Sequence, residues 1–285
     1  VLTSRISSGV AVAGAGMAAG RYRAAAMSET TLYLQENQPD GVPPLALTGE
    51  RTLPDVPAEN YWYRRHLVVY EWIAQRVAGK RVVDLACGEG YGSAVLARSA
   101  ASVVGVDANP EAHEHASARY TGANVRFERE LIETFAEPAD AVVFLQTIEH
   151  VQDPGAILEH CKEIVADSAD PVVYVTTPNL LTLAPEGAEK SENPWHVKEY
   201  RAGEFAELCG AHFGSVEMLG LYHARKLRVH EFAIDNLFWD QIHKTLRISK
   251  LFYDRFTPAI AASDFTLTSE RDLDEALDFL AVCRP

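Results

Sequence analysis

Between residues 82 and 93 the chain reads Val82-Val83-Asp84-Leu85-Ala86-Cys87-Gly88-Glu89-Gly90-Tyr91-Gly92-Ser93. An apolar run ends here in a glycine-rich turn, and glycines let backbone N–H groups approach a ligand with no Cβ in the way. A second apolar run, Ser102 to Val106, is followed by Asp107. A carboxylate ending a second strand is placed to hold the two hydroxyls of a ribose. Together the two features point to a nucleoside-containing cofactor.

Spacing narrows the choice. A dinucleotide fingerprint, Gly-x-Gly-x-x-Gly, needs a glycine at position 93, where this chain has Ser93. Asp84, four residues before Gly88, is an awkward neighbour for a pyrophosphate and a good one for an ammonium group. A ribose, no phosphates and a cationic amino-acid tail describe S-adenosylmethionine. At these residues the chain resembles the class I S-adenosylmethionine-dependent methyltransferases. Their signature is an acidic residue, then Gly-x-Gly-x-Gly, then an acidic residue ending the second strand. Ala86 stands where that family usually has its first glycine. The resemblance implies cofactor contacts from Asp84, Ala86, Gly88, Gly90 and Asp107.

The next turn with chemistry in it is Gln146-Thr147-Ile148-Glu149-His150-Val151-Gln152-Asp153-Pro154. It resembles the Glu-His-Val-x-Asp-Pro segment of small-molecule methyltransferases, including quinone and sugar O-methyltransferases. It does not resemble the Asn-Pro-Pro-Tyr segment of enzymes that methylate a base or amide nitrogen. A hydroxyl acceptor is implied, and a hydroxyl needs a base or a metal to take its proton. His150 is the leading base, because imidazole titrates nearest neutrality. Glu149 and Asp153 as oxygen ligands of Mg²⁺ are the rival, and local helix capping by Glu149 and His150 is a third reading. A later cluster, Asn193-Pro194-Trp195-His196-Val197-Lys198-Glu199-Tyr200, offers His196 as a competing base and Trp195 as a face for the acceptor. Tyr222 and His223 end a later strand and are expected to reach the same mouth. Upstream, in Glu59-Asn60-Tyr61-Trp62-Tyr63-Arg64-Arg65-His66, Arg65 is expected to pair with the methionine carboxylate and Tyr63 to help cover the cofactor.

These residues need a scaffold that brings strand ends together. Continuous apolar runs at Arg81–Leu85, Ser102–Val106, Val125–Glu128, Ala141–Leu145 and Pro171–Thr177 alternate with helical patterns at Tyr61–Ala78, Gly92–Ser99, Pro110–Tyr120 and from Asp153-Pro154 through Val165. That alternation predicts an α/β fold with a Rossmann-like, doubly wound, mostly parallel sheet. A helix at Ala202–Leu208 and strands at Ser215–Leu221 and Leu277–Cys283 complete seven strands, with one antiparallel. The mostly helical stretch at about 224–263 then reads as a cap insertion between the last two strands. In such sheets the ligand lies beyond the carboxyl ends of the strands, which puts adenine near Ala108 and Leu131 and Gln146 near the methionine end.

Composition sets the limits. A length of 285 residues allows one large domain, and a net charge of -14 argues against a nucleic-acid partner. Cys87, Cys161, Cys209 and Cys283 are scattered, which suits reduced thiols in a cytoplasmic protein. Residues 1–46 read as a disordered N-terminal extension before a methyltransferase domain at 47–285. The Ala- and Gly-rich run within 1–26 is too short to span a bilayer, and a secretory signal there is a minor alternative. No membrane partner is expected.

Three phrases, Leu47-Thr48-Gly49-Glu50-Arg51-Thr52-Leu53-Pro54, Glu59 to His66 and Ala276 to Pro285, resemble a narrower set. These are actinobacterial methyltransferases linked to polymethylated polysaccharides such as methylglucose lipopolysaccharide. The resemblance implies a sugar or glycan hydroxyl as acceptor, a small-molecule or oligosaccharide substrate. A phenol, quinone or other secondary metabolite is the alternative. A nicotinamide-dependent oxidoreductase and a non-catalytic cofactor-binding protein are the readings from other classes.

Overall fold

The computed structural model describes residues 35, 38–47, 51–185, 187–191 and 193–285. Residues 1–34 of the expected extension, and Thr48 to Glu50 of the first phrase above, lie outside them. One sheet of eight strands runs through the molecule, in the order β3-β2-β1-β4-β5-β8-β6-β7. Its strands are β1 (Arg81–Leu85), β2 (Ser102–Val106), β3 (Val125–Glu128), β4 (Ala141–Leu145), β5 (Val172–Pro178), β6 (Ser215–His223), β7 (Phe265–Thr268) and β8 (Asp278–Arg284). The helices are α1 (Asn60–Ala74), α2 (Tyr91–Leu96), α3 (Pro110–Arg119), α4 (Pro154–Ile164), α5 (Leu180–Leu183), α6 (Ala202–His212), α7 (Arg225–Leu237), α8 (Trp239–Leu246) and α9 (Ser249–Phe256).

Strands β1 to β5 are parallel, and β8 lies antiparallel between β5 and β6. Helices cover both faces, so alternate residues of each strand enter different cores. Val82, Val103, Val143 and Tyr174 pack toward α1 and α2. Val83, Val104, Val142, Phe144 and Val175 pack toward α4 and α6. Burial on both faces is why these strands read as unbroken apolar runs.

Seven strands were expected and eight are present. The extra one, β7, pairs antiparallel with β6 from Phe265 to Thr268 and forms the sheet edge. The segment expected as a cap contains α7, α8 and α9. The expected boundary at 46/47 falls inside a packed segment, since Leu45 joins Leu53 and Val56 in a small core. His115 bonds the Pro43 carbonyl at 2.6 Å, and Gln35 donates to the Pro54 carbonyl at 3.0 Å, tying this segment to the domain.

Caps set the helix starts along the carboxyl edge. Asn109 accepts from the N–H groups of Glu111 and Ala112, with Pro110 as the first helical residue. Asp153 accepts from Ala156 N at 3.0 Å ahead of Pro154.

Candidate active site

The turns after β1, β2, β3, β4 and β5 share one edge of the sheet, where open α/β folds bind ligands. In the first turn Ala86, Gly88 and Gly90 all have positive φ, at 57°, 57° and 95°. A Cβ on Gly90 would lie 2.8 Å from that of Ala116 and against Phe127, so only glycine fits there. Gly92 is required for a different reason: a Cβ would enter the Tyr70 ring of α1 at 2.1 Å.

Asp107 is half-buried at the end of β2. Its carboxylate accepts from Gly88 N at 2.8 Å and Asn109 N at 2.9 Å. Those two backbone donors hold it at the carboxyl edge, with oxygen lone pairs left over for a diol. Ala108 is exposed beside it, and Leu131 in the turn after β3 is 57% exposed, an unusual apolar surface that suits the edge of a purine. Gln146 begins the turn after β4 with φ of 51°, and its side chain donates to Thr176 Oγ1 at 3.2 Å.

Asp84 does not face this crevice. It is fully buried beneath the turn, accepting from Ser93 Oγ at 2.6 Å and Tyr70 Oη at 3.2 Å. Burial pushes its carboxyl up to about 7, against the lowering effect of those two donors. The expected ammonium contact is therefore corrected to a support role, because Asp84 alternates with Leu85 and points to the α1 side.

Arg65 is corrected likewise. It is 1% exposed, and its guanidinium donates twice to Asp278, at 2.6 and 2.5 Å, and to the Leu277 carbonyl at 2.7 Å. It fastens α1 to the start of β8 and is not directed at a cofactor. Tyr63 is half-buried and packs edge-on against Tyr91 at 5.0 Å, next to the glycine turn.

The acceptor side is built on the turn after β4, where a short 3₁₀ turn spans Ile148–His150. The Glu149 carbonyl accepts from Val197 N at 2.7 Å and Lys198 N at 3.1 Å, pinning the later loop onto this turn. The His150 and His196 rings consequently meet edge to face, 4.9 Å between centroids. His150 Nδ1 bonds the Trp195 carbonyl at 2.9 Å, which makes Nδ1 the donor and Nε2 the basic nitrogen. His196 is buried, with Nδ1 2.6 Å from Glu199 and Nε2 accepting from Asn193 Nδ2 at 2.9 Å. Burial raises the Glu199 carboxyl, but donation from His196 and Ser191 outweighs it and leaves the group below its usual range. Glu149 is buried, accepts from Thr177 Oγ1 at 3.2 Å, and is pushed by burial up to about 8. Glu149, His150 and His196 each offer a ligand atom, all within 4.8 Å of one another.

Asp153 is not part of this group, because its carboxylate caps α4. Tyr222 and His223 do not line the mouth. Tyr222 is buried and donates to the Asp272 carbonyl at 2.9 Å. His223 is buried between Tyr61 Oη at 2.8 Å and Glu231 of α7 at 3.0 Å. Trp195 is 48% exposed beside the two imidazoles. Thr177 and the pairing of Arg65 with Asp278 were not picked out from the sequence, and Asn193 stood in the cluster ending at Tyr200 without a role.

A family model described as a methyltransferase domain matches residues 61–214. A protein of Mycolicibacterium smegmatis, named as a probable S-adenosylmethionine-dependent methyltransferase, is 35% identical over 264 residues, which are 86% of this chain and 97% of that one. The chain belongs to the S-adenosylmethionine-dependent methyltransferases. A like-named protein of Mycobacterium tuberculosis H37Rv is 35% identical over 249 residues, 84% of this methyltransferase and 89% of the relative. A ubiquinone biosynthesis O-methyltransferase of Actinobacillus pleuropneumoniae serotype 7 is 31% identical over 191 residues, 57% of this chain and 77% of its own. Among solved structures, an S-adenosylmethionine-dependent methyltransferase of Thermotoga maritima superposes with a TM-score of 0.52 at 15% identity, covering 79% of this chain and 92% of that one. At that identity it speaks for the fold alone, a Rossmann-like methyltransferase with a mixed sheet.

Proposed function

We propose that this methyltransferase acts on a hydroxyl oxygen, with His150 as the base that takes its proton, and that the hydroxyl belongs to a sugar or glycan. The observation that carries this reading is the Glu149–His150–His196 group, set on the turn after β4 next to the strand that bears the glycine turn. S-adenosylmethionine supplies a methyl group on a sulfonium, and its transfer is an in-line displacement. The chain's own work is then to align the acceptor and remove a proton. His150 has its tautomer set by the Trp195 carbonyl, and its ring is more accessible than that of His196. His196, tied to Glu199 and Asn193, orients the pair. Asp107 holds the ribose, Ala108 and Leu131 flank the base, Ala86, Gly88 and Gly90 let the main chain approach, and Gln146 and Tyr63 border the methionine end.

Trp195 supports a sugar, since an exposed aromatic face suits a pyranose ring. The phrases resembling enzymes of polymethylated polysaccharide synthesis point the same way. A phenol or quinol is the second reading, favoured by the ubiquinone O-methyltransferase relative. A divalent ion is an alternative at these three donors, with the Trp195 carbonyl and Glu199 behind the two imidazoles, and it would have to displace the Asn193 amide from His196 Nε2. Two ring nitrogens and one carboxylate suit a transition metal better than Mg²⁺, and such an ion would acidify a bound hydroxyl.

A screen with radiolabelled S-adenosylmethionine over glucose and mannose oligosaccharides, catechols and quinols tests the acceptor. Label entering only the aromatic acceptors removes the sugar reading. His150→Ala is expected to lower turnover by roughly 10²–10⁴ while S-adenosylhomocysteine affinity stays near wild type. Full turnover in that variant removes the base assignment, and turnover that survives thorough chelation removes the metal.

A further inference from the structure

The helices α7 to α9 carry a surface that the fold does not use. Twelve large apolar side chains are exposed among the described residues, and eight fall between Val229 and Leu251. Val229 is 68% exposed, Phe232 58%, Phe238 70% and Leu246 61%. The three helices already have an inner core of their own. His230 stacks on Phe252 at 5.6 Å, Trp239 meets His243 at 4.4 Å, and Phe252 stacks on Phe256 at 5.1 Å. The outward residues are surplus to that packing.

Their pattern is amphipathic and cationic. Arg225, Arg228, Val229, Phe232 and Asn236 are all exposed and recur at helical spacing, so they form one stripe along α7. Residues 225–256 hold seven Lys and Arg against four Asp and Glu, or +3, in a chain of net charge -14, leaving -17 on the rest. Eight exposed large apolar side chains on three consecutive helices mark a contact site. A second copy of the chain is a poor occupant, because a two-fold interface would set these cations against themselves. An anionic bilayer satisfies both halves of the pattern. Acyl chains receive Phe232, Phe238 and Leu246, lipid phosphates receive the cations, and repulsion of the acidic remainder fixes the orientation.

The location ties this surface to the active site. β6 runs parallel to β5, so α7 leaves β6 at His223 on the same edge as the cofactor turns. Asn60, at the start of α1, donates to the carbonyls of Thr257 and Ile260 at 2.9 and 2.8 Å, fixing the insertion against the domain. No helix among the described residues is long and apolar enough to cross a membrane, and seating at an interface requires none. We propose that α7 and α8 seat this methyltransferase on an anionic lipid surface, with the rim of its acceptor crevice turned toward the headgroups.

The test is flotation of the full chain with phosphatidylglycerol/phosphatidylcholine vesicles and with phosphatidylcholine vesicles alone. The protein is expected to float with the anionic vesicles, to be released by high salt, and to stay behind with the neutral ones. At about 1 kcal/mol for each cation near the surface, Arg225→Gln/Arg228→Gln should weaken partition about 30-fold. Phe232→Ser/Leu246→Ser should abolish it. Both variants should keep wild-type affinity for S-adenosylhomocysteine, which reports the fold. Absence of flotation, or flotation unchanged in both variants, overturns the proposal. So does a dimer in solution that Phe232→Ser/Leu246→Ser dissociates while the wild type ignores vesicles, since the face then belongs to a second copy. The acceptor screen uses no lipid, so its outcome is independent of this one.

Discussion

Replacing Asp84 with Asn should change how stability depends on pH, and the structure sets the size of the effect. Asp84 is fully buried under the glycine turn, with Ser93 and Tyr70 as its hydrogen-bond donors and burial raising its carboxyl from 3.8 to about 7. Below about pH 4 the group is protonated in folded and unfolded chains alike and contributes no slope. Between about pH 4 and 7 the unfolded chain loses this proton while the folded chain keeps it. The native state then binds one proton more, and stability falls by about 1.4 kcal/mol per pH unit. The accumulated loss approaches about 4 kcal/mol and levels off above pH 7.

Asn has nearly the same shape and can still accept from Ser93 or Tyr70, but it does not ionise. Urea denaturation of both proteins at pH 5, 6, 7 and 8, with S-adenosylhomocysteine absent, isolates the difference. Asp84→Asn should be level with or below wild type at pH 5, gain on it to about pH 7, and then hold that gain to pH 8. Stability curves that run parallel across that range would refute a protonated Asp84 beneath the turn.

Three further outcomes follow from other contacts. Asp107→Ala should weaken S-adenosylhomocysteine binding about 100-fold by calorimetry, the loss of two charge-assisted hydrogen bonds of about 1.5 kcal/mol each; unchanged affinity removes the ribose role. Ala86→Gly should stabilise the protein by about 1 kcal/mol in denaturant, because a left-handed alanine at φ 57° is strained; a destabilised variant speaks against that strain. Arg65→Ala should cost about 3–5 kcal/mol of stability by leaving Asp278 buried and unpaired, while the folded fraction binds cofactor normally. A variant that is stable but deficient in cofactor binding would restore the carboxylate-clamp role.

The parallel half of the sheet was legible because burial on both faces leaves unbroken apolar runs, and β1 to β4 have the bounds their sequences suggest. β7 was not. Phe265–Thr268 is four residues long and is held by pairing to one neighbour, β6, so its strand character comes from the partner and not from its own pattern. Arg65 invited a cofactor role because paired arginines near a helix start have no local explanation. Its explanation is Asp278, 213 residues away, a contact that no window on the sequence contains. Tyr222 and His223 were correctly placed at a strand's carboxyl end, but α7 folds back over that end and Glu231 takes His223. On the acceptor side each histidine stood out singly, and the pairing depends on backbone bonds from Val197 and Lys198 to Glu149.

Asp84 shows where the motif itself held more information than its usual interpretation uses. Side chains alternate across a strand, so Val83 and Leu85 on one face require Asp84 on the other, with Val82. That face is the one α1 covers, and it is where Gly92 leaves room for the Tyr70 ring and Ser93 reaches Asp84. The residue at position 93 thus breaks the dinucleotide fingerprint and at the same time satisfies a buried carboxylate that would otherwise lack a strong donor. Gly88 works on the opposite side, giving its N–H to Asp107 at the cofactor edge. A glycine at 93 would leave Asp84 with Tyr70 alone, at 3.2 Å, and loosen the link between α1 and the turn. The departure from a dinucleotide motif is therefore held in place by packing beneath the turn as much as by the ligand above it.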